Sequence, residues 1–360
     1  MSLSRPLPAR SRPSARRLSW ATAAAVGALV LSACAGESPD APAQDADSSG
    51  GASGEPAAGG ETTTLRLGHI YDPNHPNETC GVPAMNEALA GSGLEIESYP
   101  SATLGSEEEM LEQVADGSLE LSIAGPAFLG VWDERAAVFD AAYLFSDVDH
   151  FDETINGEIG QEIWDGLQEE SGLTVLRSWY YGTRHVTANQ PIRSPEDLAG
   201  VKIRVPNAPL YLDNTEAMGG TATPMALSEV YLALQQGAID AQENPIPTIN
   251  SMKFQEVQET LNLTGHVIQG VMIVAAEEAL ADMPEDQRAA LEEATVAAGD
   301  AVRACIEDAE AEMVEQWRSE DVIEVVDDID VEAFRSAAVE LLPERHPEWA
   351  DLYREIQSQG

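Results

Sequence analysis

Thr64-Leu-Arg-Leu-Gly-His-Ile70, Leu94-Glu-Ile-Glu-Ser-Tyr99 and Leu119-Glu-Leu-Ser-Ile-Ala124 are three short runs in which apolar residues recur at alternate positions. That period belongs to β-strands. Between the first two, residues 78–89 read as a helix. Before the third, Ser106-Glu-Glu-Glu109 is a capping box that opens a helix over 107–115, and Gly117 ends it. Strand–helix–strand–helix–strand predicts a parallel sheet with helices on its faces. Ligands of such sheets bind beyond the carboxyl ends of the strands, which singles out the loops 69–77 and 125–132.

The alternation resumes downstream. Leu173–Trp179 reads as a strand, Ser194 caps a short helix with Pro195 at its first position, and Val201–Val205 reads as another strand. Leu227–Gln236 is a helix stopped by Gly237, residues 267–275 are strand-like, and Pro284 opens a long helix to about Arg318. The expectation is α/β: two α/β lobes joined by a hinge, with a long C-terminal helix and a cleft suited to a small ligand.

The N-terminus carries a different signal. Residues 1–17 hold five arginines and no acid, and an apolar run, Leu18–Ala33, follows. It is short for a membrane span and suits a signal-peptide core over residues 1–33. The run ends in Leu31-Ser32-Ala33-Cys34, which resembles the lipobox of bacterial lipoproteins and implies a lipidated Cys34. Residues 35–61 lack aromatic residues and have almost no large apolar ones, so 34–61 read as a lipid-bearing cysteine and a disordered tether. The expected location is the outer face of the cytoplasmic membrane.

The chain has 19 basic and 63 acidic residues. Removing residues 1–33 deletes five of the former and none of the latter, leaving a net charge of −49. Such a protein repels nucleic acid and anionic lipid. An arginine kept inside it needs a reason. Apart from Cys34 there are two cysteines, Cys80 and Cys305, which outside the cell are either a disulfide or two free thiols. Their spacing is not that of a metal site. No G-x-S-x-G, H-E-x-x-H, P-loop or dinucleotide fingerprint occurs, so no catalytic site, metal or cofactor is expected.

Three segments stand out: Tyr181-Gly-Thr-Arg184-His-Val-Thr187; Asp197-Leu-Ala-Gly-Val-Lys-Ile-Arg204-Val-Pro-Asn207; and 224–245, which ends in Gln242-Glu-Asn244-Pro. With Tyr99-Pro-Ser-Ala-Thr-Leu-Gly105 and Val138–Phe145, in this order and spacing, they resemble the DctP-like substrate-binding proteins of tripartite ATP-independent periplasmic (TRAP) transporters. The resemblance covers nearly all of residues 64–342. It implies a periplasmic-binding-protein-like (type II) fold, with residues 62–182 plus 270–309 as one lobe and 183–269 plus 310–360 as the other.

The resemblance also implies roles. Arg204 matches the arginine that grips the ligand carboxylate with two parallel donors, a geometry that suits guanidinium. Arg184 matches a second arginine near that carboxylate, and Asn244 an amide that bonds the same end. Asn207 either orients Arg204 or reaches the ligand. Glu243 is expected to buttress an arginine or pair with His266. His75 is a candidate contact from the other lobe. The family's sialic-acid binders carry glutamate and arginine at the positions of Gly125 and Phe128; the departure there disfavours sialic acid, despite close similarity around Arg204 and Asn244. Phe128, Trp132, Trp179 and Tyr181 are pocket candidates, with burial in the core as their alternative.

The implied function is capture of a small carboxylate and its delivery to a sodium-coupled permease with a small and a large membrane subunit. A uronate or aldonate is favoured, then a C4-dicarboxylate or keto acid. The rival readings are a ligand sensor for a membrane kinase and an extracellular enzyme acting on sugar acids.

Overall fold

The computed structural model describes residues 62–360; the expected export signal, Cys34 and the tether lie outside the described residues. Nine strands form one mixed sheet: β1 (Thr63–Gly68), β2 (Leu94–Tyr99), β3 (Leu121–Ala124), β4 (Leu173–Ala188), β5 (Lys202–Val205), β6 (Thr221–Pro224), β7 (Ala241–Pro245), β8 (Thr260–Ala276) and β9 (Glu324–Val326). Their order is β2-β1-β3-β8-β4-β7-β5-β6, with β9 added to β8.

The expected parallel pairing holds within each half. β1 is parallel to β2 and β3, and β5 is parallel to β6 and β7. The two halves are joined by β4 and β8, of 16 and 17 residues, which run antiparallel to each other, with β7 antiparallel to β4 and β3 antiparallel to β8; β9 is parallel to β8. This is the bilobal type II arrangement. Both strands are about twice as long as their alternation predicts. Register shifts at Val175/Arg177, Tyr180/Gly182 and Arg184/Val186 break the period of two, so the pattern fades where the strand continues.

The shift at Gly182 has a visible cause. Its φ is +125°, and a Cβ there would lie 2.6 Å from Pro245 Cβ and 2.8 Å from Glu310 Oε1. Only glycine fits. Glu310 accepts a bond from Thr183 N at 2.9 Å and one from Tyr180 OH at 3.2 Å, tying this bend to the long helix Glu285–Glu320. The expected lobe boundaries, 182/183 and 269/270, face each other across it, since Gly182 pairs with Gln269.

The 36-residue helix, roughly 54 Å long, packs on β4, on the helix Val82–Ala88 and, farther along, on the helix Ile246–Ser251 and β9. Trp179, expected as a pocket residue, belongs to this contact. It is fully buried, its Nε1 donates to Thr295 O at 2.8 Å, and its ring abuts Gly81 and Gly299. Cys80 and Cys305 form a disulfide that ties the turn Asn77–Gly81 to the same helix. Among the described residues no helix is long and apolar enough to cross a membrane, and no cluster of His, Cys, Asp and Glu suits a metal ion.

Candidate functional site

A cavity of about 310 Å³, at the lower end of small-molecule sites, lies among residues that follow β1, β3, β5 and β6. β4, β7 and β8 contribute Arg184, Asn244 and Gln269. The strands thus bring the carboxyl-end loops of both halves to one place, as the sheet logic predicts.

Arg204 reaches it from β5 and is 3 % exposed. Nε and Nη2 both donate to Met225 O, at 3.0 and 2.7 Å, and among the described residues the guanidinium has no ion pair. Burial brings its pKa down to about 10, even though Glu243 favours its charge. A buried cation without a counter-ion is costly. Its free donors face a cavity that an anion can fill.

Arg184 is committed within the protein. Its Nη2 donates to Glu243 Oε1 at 2.6 Å and to Glu243 O at 2.7 Å, its Nε bonds Glu243 Oε2, and its Nη1 donates to Gln269 Oε1 at 2.6 Å. The guanidinium also lies over the Tyr211 ring. Burial opposes its charge, but Glu243 more than compensates and its pKa is raised. Glu243 is held at about 2 by Arg184 and His266 against burial, and His266 Nε2 lies 3.1 Å from it. Glu243 therefore both buttresses an arginine and pairs with His266.

Asn244 Oδ1 is 3.3 Å from Arg184 Nη2 and accepts from Tyr181 OH at 3.4 Å, while its amide donates to Gln242. Asn207 lies at the rim, where its amide donates to Glu108 Oε1 at 2.8 Å, a contact between the two halves. Gly125, Phe128 and Tyr181 also line the cavity.

His75 and Trp132 do not line it. His75 is fully buried behind the wall, its ring stacked on Tyr71 at 5.0 Å, with Nε2 3.2 Å from Thr248 Oγ1. Burial pushes its pKa to about 3, so it is neutral and holds the wall aromatics in place. Trp132 packs half-buried against the main core, with its amide bonded back to Leu129 O.

The sequence reading overlooks two buried acids, Glu107 on the cavity wall and Asp140 beside Gly125. Asp140 accepts from Ala127 N, Tyr211 OH and Gln269 Nε2 at 2.9, 3.0 and 2.9 Å. Burial raises its pKa to about 6. Glu107, in the first turn of the helix Glu107–Ala115, is 7 % exposed and accepts from Gly125 N at 2.5 Å. Burial, against that bond and with Asp140 nearby, raises its pKa to about 8. The capping box accounts for Ser106 and Glu109 and hides the inward turn of Glu107. Asp140 sits in the quoted segment Val138–Phe145, but nothing local marks its side chain.

Comparison with known proteins identifies the family and the fold. The model of the bacterial extracellular solute-binding protein family 7, DctP, matches residues 83–346. The sialic acid-binding periplasmic protein SiaP of Vibrio cholerae is 36% identical over 258 residues, 72% of this chain and 80% of its own. Among solved structures, a TRAP periplasmic solute-binding protein of Roseobacter denitrificans with bound L-galactonate superposes with a TM-score of 0.76 at 32% identity, covering 82% of this chain and 99% of its own. One from a Polaromonas species, bound to D-erythronate, gives 0.77 at 31% identity, covering 82% and 98%. The chain belongs to family 7 of the bacterial extracellular solute-binding proteins, the DctP family of TRAP transporters, whose members are binding proteins and not enzymes.

Proposed function

We propose that this protein captures a hydroxyl-bearing organic acid, a uronate or an aldonate, outside the cytoplasmic membrane and delivers it to the membrane subunits of a TRAP permease. The observation that carries this is Arg204: a buried guanidinium, without an ion pair among the described residues, facing a cavity of about 310 Å³. Asn244 and Arg184 would support the same carboxylate, with Arg184 acting from its fixed pair with Glu243. Phe128 and Tyr181 offer apolar faces to the ligand's carbon chain. Bound L-galactonate and D-erythronate in similar structures favour sugar acids.

The lobes, 62–182 plus 270–309 and 183–269 plus 310–360, would close by bending of β4 and β8 beside Gly182. A lipid on Cys34 would keep the protein at the membrane while the tether lets it reach the permease.

A thermal-shift screen of the purified protein against sugar acids, dicarboxylates, keto acids and neutral sugars tests the reading. A solute at about 100 times its dissociation constant adds roughly 2.7 kcal/mol of stability. Hits among sugar acids support it. Hits confined to neutral sugars refute the role of Arg204.

A further inference from the structure

We propose that Glu107 reads the far end of the ligand, favouring a solute with one carboxylate and hydroxyl-bearing carbons opposite it, and rejecting one with a second carboxylate there. The inference rests on the sugar-acid reading above and narrows it.

Arg204 and Glu107 line the same cavity, and they come from opposite halves of the sheet. Glu107 Oε1 is held by Gly125 N, and Oε2 has no protein partner among the described residues. A Cβ on residue 125 would stand 3.5–3.6 Å from Asp140 Oδ2, Gln269 Nε2 and Glu107 Oε1. Any side chain beyond that Cβ would enter the space in front of these groups. Glycine leaves the Glu107 carboxyl open to the ligand.

The charges around it decide what it accepts. Glu108 stands beside it at the rim, held by Asn207, and Asp140 is saturated by three donors. Tyr71, Tyr181 and Tyr211 are neutral, their pKa values raised by burial. Arg184 is spent on Glu243. Among the described residues Arg204 is thus the cavity cation without an ion pair; Glu107 and Glu108 line the cavity with it, and the buried Asp140 stands beside Gly125. A ligand hydroxyl serves either form of Glu107, because it donates to the carboxylate and accepts from the acid. A second carboxylate only accepts. It suits the acid form alone, and it is repelled by Asp140 and Glu108 in either case. Since burial holds Glu107 near 8, the rejection should strengthen as pH rises through that value.

The test is calorimetric titration of the full chain and of Glu107→Gln. The ligands are D-gluconate, D-galactonate and L-galactonate, beside the six-carbon diacids D-glucarate and galactarate. Each is titrated at about pH 6 and about pH 9. In the wild type a monoacid binds about tenfold or more tighter than its diacid, and the gap widens with pH. In Glu107→Gln the gap shrinks, and the only pH dependence left to it is that of Asp140 near 6, so it no longer widens through pH 8. A diacid that binds the wild type as tightly as its monoacid overturns the proposal, as does a gap unchanged in the variant. If Glu107→Gln does not fold, the wild-type pH series decides, and a gap constant across it is the overturning result. If neither acid class binds the wild type, the sugar-acid reading itself falls and takes this inference with it.

Discussion

Replacing Arg204 by methionine should move binding and stability in opposite directions. Methionine keeps the volume of the side chain while removing its charge and donors. The guanidinium is buried without an ion pair among the described residues, and burial lowers its pKa from its ordinary value to about 10. That displacement corresponds to about 3 kcal/mol spent on keeping the charge in the fold. Methionine also loses both bonds to Met225 O, which gives back about 1–2 kcal/mol. The empty Arg204→Met protein should therefore be more stable than the wild type by about 1–2 kcal/mol. Sugar-acid binding should weaken by about 3 kcal/mol or more, because the ligand carboxylate would then be desolvated with no cation to meet it. Urea denaturation without ligand and calorimetric titration, on the same preparations, check both halves. If the empty variant is less stable than the wild type, Arg204 is an ordinary structural cation and the anion-site argument fails. Unchanged affinity would sink it from the other side.

Glu243→Gln leaves Arg184 buried with its ion pair gone and should cost about 3–5 kcal/mol, read from the urea midpoint. Glu243 also makes stability depend on pH. Its pKa is lowered from 4.5 to about 2, so its contribution is complete above about pH 4.5 and is lost as pH falls through about 2. Acid denaturation curves of wild type and variant should converge there. Replacing Cys80 and Cys305 together by alanine opens a loop spanning 225 residues and should cost about 2–5 kcal/mol, with ligand affinity unchanged because neither cysteine lines the cavity. The chain carries a net charge of −44, so its field opposes an approaching anion. Association of a sugar acid, followed by stopped flow, should accelerate as salt rises from about 0.05 M to about 0.5 M.

Much of the fold was legible because short strands and capped helices leave local marks. β2 runs over the residues its alternation marks, and the capping box at Ser106 opens the predicted helix. The central strands were half legible. β4 and β8 are buried on both faces in their middles and shift register, so neither periodicity nor polarity reports them. β7, Ala-Gln-Glu-Asn-Pro, was not read as a strand, because its polar side chains are buried only through contacts with Arg184, Thr187 and His266 from elsewhere in the chain. The same holds for the site. Arg204, Arg184 and Asn244 stand out through motif resemblance, whereas Glu107 and Asp140 acquire meaning only once the loops after β2 and β3 meet the helix that bears Tyr211. His75 is the reverse case. A histidine in a ligand-edge loop suggests a contact, but its ring is used up by Tyr71 and Thr248.

The contrast between the two pocket arginines bears on how an acid-rich protein can hold an anion at all. With 63 acidic residues in the chain, a basic side chain readily finds a carboxylate: Arg66 pairs with Glu120, Arg135 with Asp133, Arg303 with Asp149 and Arg345 with Asp213. Arg184 follows this rule inside the pocket. Arg204 escapes it because each nearby acid is occupied. Glu243 is bound by Arg184 and His266, Asp140 by three donors, and Glu107 is held largely protonated by burial at neutral pH. Opening the cleft to water would remove the burial that keeps Glu107 neutral, while a carboxylate arriving at Arg204 would supply the missing counter-charge. On the proposed hinge closure, the closed arrangement would therefore be favoured most with an anion inside it. The pocket's internal charge bookkeeping, more than the area the ligand buries, is what would couple binding to closure.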